Sequence, residues 1–422
     1  MKRLFATVFL MFGFSAAQAE TTVLECARLV DVERGKVLEN RQVLIEGKRI
    51  AAVGKNVGAA DAKRITLDTC LPGLMDMHVH LAGQMSRNGY IKRFQNNAAD
   101  QALLANHYAN ITLQAGFTTV RNLGDSYNVT VALRNAISAG VATGPRIFTS
   151  AKTIATTGGH GDPTNGFRKD LMGDPGPEDG VVNSAEDARK AVRQRYKDGA
   201  DMIKVTATGG VLSLARSGQN PQFTVEELNA VVETANDYGM TVAAHSHGTD
   251  GMKRAVQAGV TSIEHGTFMD EQVMALMKER GTYYVPTISA GRFVAEKAQE
   301  DDYFPAVVRP KAATVGPQIQ DTFNKAYAYG VTIAFGTDAG VSPHGTNALE
   351  FIYMVEGGMR EMEAIQAATM TSARLIGMEN ELGSISQGKL ADIVAVKGNP
   401  LKDISLLSDI AFVMKDGEVY KK

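Results

Sequence analysis

Through the middle of this chain, short apolar segments alternate with helical patterns, and that alternation restricts the fold more than any other feature. The segments are residues 75–81, 118–123, 146–151, 202–207, 241–245, 262–265, 284–287 and 332–336, and each reads as a strand. Between them lie helical patterns such as 225–238, 271–280 and 361–376. The first of these is entered at Thr224 with Glu227 three residues on, the reciprocal cap that starts a helix. Eight strands alternating with helices over about 300 residues is the count of an α/β chain folded as a (β/α)8 TIM barrel. No self-similar repeat or low-complexity tract points elsewhere.

The flanks differ. Residues 22–29 and 42–45 read as strands, with Gly47-Lys48-Arg49-Ile50 turning into another. Near the other end, 391–396 and 410–414 are strands, and Asp416-Gly417 is a hairpin signal. The expected layout is therefore a small β-sandwich built from both termini, residues 20–73 and 381–422, around a barrel over 74–380. Residues 158–183, rich in Gly, Pro and Asp, are expected to form an active-site loop or lid.

Residues 1–19 are expected to be removed. Lys2 and Arg3 precede an apolar run from Leu4 to Phe14, and Ala17-Gln18-Ala19 is a small-residue cleavage pattern, so the chain reads as exported, to the periplasm or beyond. That run falls short of the about 20 residues a membrane span needs, and no later segment reads as one. The 44 basic residues balance 46 acidic ones without a basic cluster, which argues against nucleic acid or a membrane surface as partner. The two cysteines, Cys26 and Cys70, form no zinc-binding pattern. They are either a disulfide of an oxidising compartment or two buried thiols.

Chemistry gathers at the strand ends. In Asp76-Met77-His78-Val79-His80, strand alternation turns His78 and His80 to one face, where two imidazoles can chelate one cation. A His-x-His pair alone is a weak signal, but this one ends the first barrel strand, and that end carries the active site in such barrels. His245 ends the fifth strand, with His247 two residues on. His265 ends the sixth, and Asp338 follows the eighth. Lys204 sits in an otherwise apolar strand, where an isolated ammonium is costly. It either snorkels to the rim or loses its proton and takes up carbon dioxide, giving a carbamate able to bridge two metals.

With these residues, and with Leu71-Pro72-Gly73, Thr157-Gly158-Gly159-His160-Gly161, Gln222-Phe223-Thr224, Asn347-Ala348-Leu349-Glu350 and Gly388-Lys389-Leu390-Ala391-Asp392, the chain resembles the amidohydrolase superfamily in its binuclear, carboxylated-lysine branch. Within it the chain looks like the imidazolonepropionase-related group of Xaa-Pro and Xaa-Arg/Lys dipeptidases and N-acyl-amino-acid hydrolases, ochratoxin-cleaving enzymes included. The resemblance implies two divalent cations, zinc by preference. His78, His80 and Asp338 would hold one, His245 and His265 the other, and carbamylated Lys204 both. It also implies a hydroxide between the ions as nucleophile, Asp338 as base and then acid, and His160 and His247 against the developing oxyanion or the substrate.

The implied substrate is a small amide or dipeptide whose leaving amino acid keeps a free carboxylate. His160, Arg216, Tyr283, Tyr284 and Arg292 are candidates to bind it, and near-neutral surroundings favour an apolar or Pro-type leaving residue. A homo-oligomer is expected. Three alternatives stand beside this expectation: a cyclic-amide or lactone hydrolase, a mononuclear deaminase of the same superfamily, and a non-catalytic binding barrel.

Overall fold

The computed structural model describes residues 21–58 and 60–422, so the expected leader lies outside the described residues. The barrel begins with Leu74–Val79, which pairs in parallel with Phe117–Asn122 and, beyond it, Arg146–Thr149. Ile203–Thr206, Val242–Ser246, Ser262–His265 and Tyr283–Val285 form a second parallel run. Nearly every residue of these strands is buried, as parallel strands enclosed by helices must be.

Two irregular segments close the ring. On one side Ile154 bridges Val205, and Thr149 O accepts from Asp201 N–H at 2.8 Å. On the other, the segment expected to be the eighth strand, 332–336, is not a continuous strand. Its hydrogen bonds alternate between neighbours: Thr332 and Ala334 bond to Tyr284, and Phe335 to Met77, so no ladder forms along either. The ring still closes there, through bridges Tyr284↔Ile333 and Val79↔Ala339.

Helices follow the strands as the patterning requires. Val225–Asp237 starts at the Thr224–Glu227 capping box, with Thr224 N–H donating to Glu227 at 2.8 Å. The expected helix 361–376 contains a π-turn, Ala367–Thr371, between Glu361–Gln366 and Ser372–Leu375. The turn leaves Ala367 O to accept from Phe335 N–H (3.2 Å) and Ser372 Oγ (2.7 Å), tying the irregular closing segment to its helix.

The terminal strands join one seven-stranded mixed sheet. It includes Lys63–Pro72, which the sequence pattern did not disclose, at its centre. The edge strand Arg49–Gly54 returns to Lys389 and Leu390 by hydrogen bond and bridge, so the sheet folds back around a core that includes Leu24, Ile45, Ile393 and Phe412. Cys26 and Cys70, on paired parallel strands with Cα atoms 5.8 Å apart, form a disulfide in that core. Among the described residues no helix is long and apolar enough to cross a membrane.

Candidate active site

A cavity of about 170 Å³ opens at the C-terminal ends of the barrel strands. His78, His80, His160, His245, His247 and His265, six of the chain's eight histidines, line it together with Lys204 and Asp338. Packing alone gives no reason for that convergence.

Backbone conformation brings part of it about. Alternation along Ser262–His265 puts Ser262 and Glu264 inside the barrel, which would send His265 outward. His265 instead has φ +70°, Thr287 +54° and Asp338 +57°, the left-handed region that costs a non-glycine residue about 1–3 kcal/mol. These three sites end the sixth, seventh and eighth barrel segments, and the bend returns each side chain to the mouth.

His78 Nε2 and His80 Nε2 stand 3.5 and 3.3 Å from Asp338 Oδ1. Two donors about 2.0–2.1 Å from a shared tetrahedral ion lie about 3.4 Å apart, so the trio has the spacing of a metal site. Asp338 Oδ1 is buried without a hydrogen-bond partner, a state that costs about 1–3 kcal/mol unless a ligand satisfies it. Imidazole nitrogens with a carboxylate suit zinc and its neighbours. The residues present therefore fit a divalent cation.

Each histidine is oriented by a partner behind it. His78 Nδ1 meets Glu264 Oε2 at 2.9 Å, and His80 Nδ1 meets Gly124 O at 3.2 Å. His265 Nδ1 meets Thr287 Oγ1 at 2.8 Å, which leaves its Nε2 for the cavity. His245 uses Nε2 on Gly209 O at 3.3 Å, which leaves Nδ1. Burial, reinforced by mutual repulsion, holds His78, His245 and His265 far below the usual imidazole range, so they stay neutral, the form that binds metal. Burial likewise lowers the ammonium of Lys204, which is 3% exposed, against the pull of Glu264 and Asp338. Burial raises Asp338.

His160 stacks on His245 with ring centroids 4.3 Å apart, and its Nδ1 is buried without a partner. A Cβ on Gly210 would stand 2.2 Å from the His160 ring, so only glycine lets that ring approach. His247 packs edge-on against His245 and bonds Thr267 Oγ1 at 2.7 Å.

Four expected substrate-binding residues are not at this cavity. Tyr284 is fully buried and donates to His265 O at 3.0 Å. Tyr283 opens the seventh strand at the end away from the mouth and packs with Met75 and Met77. Arg292 turns away from its cavity-lining neighbours Gly291 and Val294 to pair with Glu356 (2.7 Å) and stack on Tyr353. Arg216 is exposed to solvent and lines none of the cavity.

Sequence reasoning also passed over the support beneath the site. Arg121, 1% exposed, donates to Glu264 Oε1 (2.7 Å), Met77 O (2.6 Å) and Ser262 Oγ (3.0 Å). Asp76 accepts from His78 N–H, Thr337 and Asn347, and Glu350 from the Ile288 and Ser289 amides. A charged residue within an apolar strand was the available signal, and it was followed only at Lys204.

A barrel with buried imidazoles and a carboxylate gathered at its C-terminal mouth is suited to hold a divalent cation, and the family match makes it a hydrolase acting on amide bonds. The chain belongs to the amidohydrolase family, whose sequence profile matches residues 69–421. It is 33% identical to ochratoxinase from Aspergillus niger, covering 96% of this chain and 88% of that one. A solved Xaa-Pro dipeptidase with methionine bound in its active site is 55% identical, with TM-score 0.92 over 96% of this chain and all of the other. A prolidase complexed with N-methylphosphonate-L-proline is 31% identical, with TM-score 0.85 over 95% of this chain and all of that one. The expected membership and fold are thereby established.

Proposed function

We propose that this protein cleaves the amide bond joining an acyl or aminoacyl group to an amino acid with a free α-carboxylate, as in a dipeptide, an N-acyl amino acid or an ochratoxin-type amide. The observation that carries this reading is the convergence of His78, His80, Lys204, His245, His265 and Asp338 on one cavity. The names of the similar proteins, a dipeptidase, a prolidase and an ochratoxinase, support it.

In this reading His78, His80 and Asp338 would hold one ion and His245 and His265 a second, with Lys204, carboxylated by carbon dioxide, available to both. Two divalent cations, zinc by the chemistry of the donors, would supply Lewis acidity and draw the pKa of water towards about 7. Burial favours the neutral Lys204 amine, the form that reacts with carbon dioxide. Asp338, its carboxyl pushed up by burial, is suited to take a proton from the attacking water and return it to the leaving amine. His160 and His247, both held near pKa 3 by burial, line the cavity as neutral side chains that would donate to the carbonyl oxygen as it gathers charge. Val211, Val294, Val315 and Ile319 give one wall an apolar surface, matched to an apolar side chain.

Export and assembly as a homo-oligomer belong to the same proposal, and the Cys26–Cys70 disulfide fits an oxidising compartment. The deciding experiment incubates metal-loaded enzyme with dipeptides, N-acyl amino acids, cyclic amides, lactones and amino-heterocycles. Release of free amino acid from the first two classes is expected. Turnover confined to rings, or ammonia from heterocycles alone, would replace this reading with a cyclic-amide hydrolase or a deaminase.

A further inference from the structure

The free carboxylate in the proposed substrate needs a cation, and the cations around the cavity are mostly engaged. Lys311 Nζ donates to three carbonyls, Gly210 (3.1 Å), Ser213 (2.8 Å) and Ala215 (2.7 Å). Lys152 pairs with Asp179 at 2.8 Å. Lys204 lies within the cluster of metal-binding candidates.

Arg93 differs. It lies on the short helix Gly89–Gln95 in the loop after the first barrel strand. Its guanidinium rests 5.3 Å from the centre of the Phe167 ring, contributed by the long loop after the third strand. Among the described residues it has neither a salt bridge nor a hydrogen bond. Most arginines of this protein pair with a carboxylate, buried Arg121 and half-buried Arg146 among them.

Three spaces adjoining the catalytic cavity meet at this side chain. One, about 280 Å³, runs from His80 along Met85, Leu212, Tyr303, Phe304 and Val341 to Arg93 and is mainly apolar. A second, about 630 Å³, joins His80 and His160 to Arg93. A third, about 120 Å³, joins Arg93 to His160 and Phe167.

The acids lining the second space are engaged elsewhere. Asp125 caps the next helix through Val129 N–H and Thr130, Asp162 accepts from Gly158 and Thr164 of its own loop, and Asp174 and Asp179 pair with lysines. The guanidinium is exposed where these spaces open towards the reaction cavity, with no carboxylate among the described residues within salt-bridge distance, and so can pair with an anion of the ligand. Its planar fork matches a carboxylate with two parallel hydrogen bonds.

We infer that Arg93 is the specificity-determining residue that binds the substrate's free carboxylate, and that the apolar space from Met85 to Phe304 takes the side chain of the same leaving residue. The inference rests on the function proposed above and narrows its substrates to amino acids with bulky apolar side chains.

The test compares N-acetyl-phenylalanine with its C-terminal amide and with N-acetyl-glycine, on the wild type, Arg93→Gln and Arg93→Lys, with metal content and unfolding midpoint recorded for each. For the wild type, kcat/KM is expected to be at least tenfold higher for the acid than for the amide, and higher for phenylalanine than for glycine. In Arg93→Gln the acid-to-amide ratio should fall to near one, mainly through KM, and Arg93→Lys should recover part of it. An Arg93→Gln enzyme that still prefers the acid overturns the assignment of Arg93 and leaves the amidase function standing. A wild type that cleaves acid and amide equally overturns carboxylate recognition and this inference. One that cleaves neither overturns this inference, while the proposed function is decided by the dipeptides and other substrate classes named above.

Discussion

Glu264 Oε2 stands 2.9 Å from His78 Nδ1, and the same carboxylate takes a hydrogen bond from Arg121 on its other oxygen. All three side chains are essentially sealed from water. Glu264 therefore fixes which ring nitrogen of His78 carries the proton, and Arg121 holds the Glu264 carboxylate in place. Replacing Glu264 with glutamine leaves Arg121 buried without a counter-charge. Metal affinity should fall ~10–100-fold, as for other partners that orient a ligand from behind. The metal-free protein should lose about 3–5 kcal/mol of stability. Chelator competition and denaturant unfolding read the two effects separately, and an unchanged metal affinity would show that His78 is oriented without Glu264.

The disulfide closes a sequence separation of 44 residues between two paired strands of the terminal sheet. Loop-closure entropy gives such a link up to about 4 kcal/mol. Reduction should lower the unfolding midpoint while leaving turnover in mild buffer close to that of the oxidised enzyme, because the bond lies in the sheet core and not at the barrel mouth. Superimposable unfolding curves with and without reductant would contradict this.

Acid should destabilise the metal-free protein partly through His247. Burial, with Lys311 and Lys204 nearby, lowers its pKa to about 3, against about 6.5 for the unfolded chain. Between those values the unfolded state binds the extra proton, so this contribution to stability is present above about pH 6.5 and is lost as pH falls towards 3. His247→Gln should flatten the stability-versus-pH slope in that window by at most about 1.4 kcal/mol per pH unit. Identical slopes for variant and wild type would mean that His247 is not held neutral.

What the sequence disclosed and what it hid divide along physical lines. Strands and helices with strong periodicity were legible, as were the histidines at strand ends, because alternation and barrel geometry act locally. The closing segment 332–336 has the composition of a strand, yet it shares its hydrogen bonds between two neighbours, which composition does not encode. Tyr283, Tyr284 and Arg292 were expected on loops after strands, but the seventh strand is only three residues long and holds both tyrosines, which composition does not encode. Arg121, Glu264 and Arg93 act through contacts between distant parts of the chain. Arg121 and Glu264 are 143 residues apart, and no local pattern marks such a pair.

The central claim is that Lys204 and the surrounding side chains hold two metal ions that the reaction requires. Elemental analysis of purified wild type and Lys204→Ala, alongside turnover of an N-acyl amino acid, tests it most directly. The account predicts two divalent ions per wild-type chain, loss of at least one ion and nearly all turnover in Lys204→Ala, and partial recovery on adding a short carboxylic acid. A Lys204→Ala enzyme that keeps two metals and near-normal turnover, or a wild type fully active with one metal or none, would contradict it.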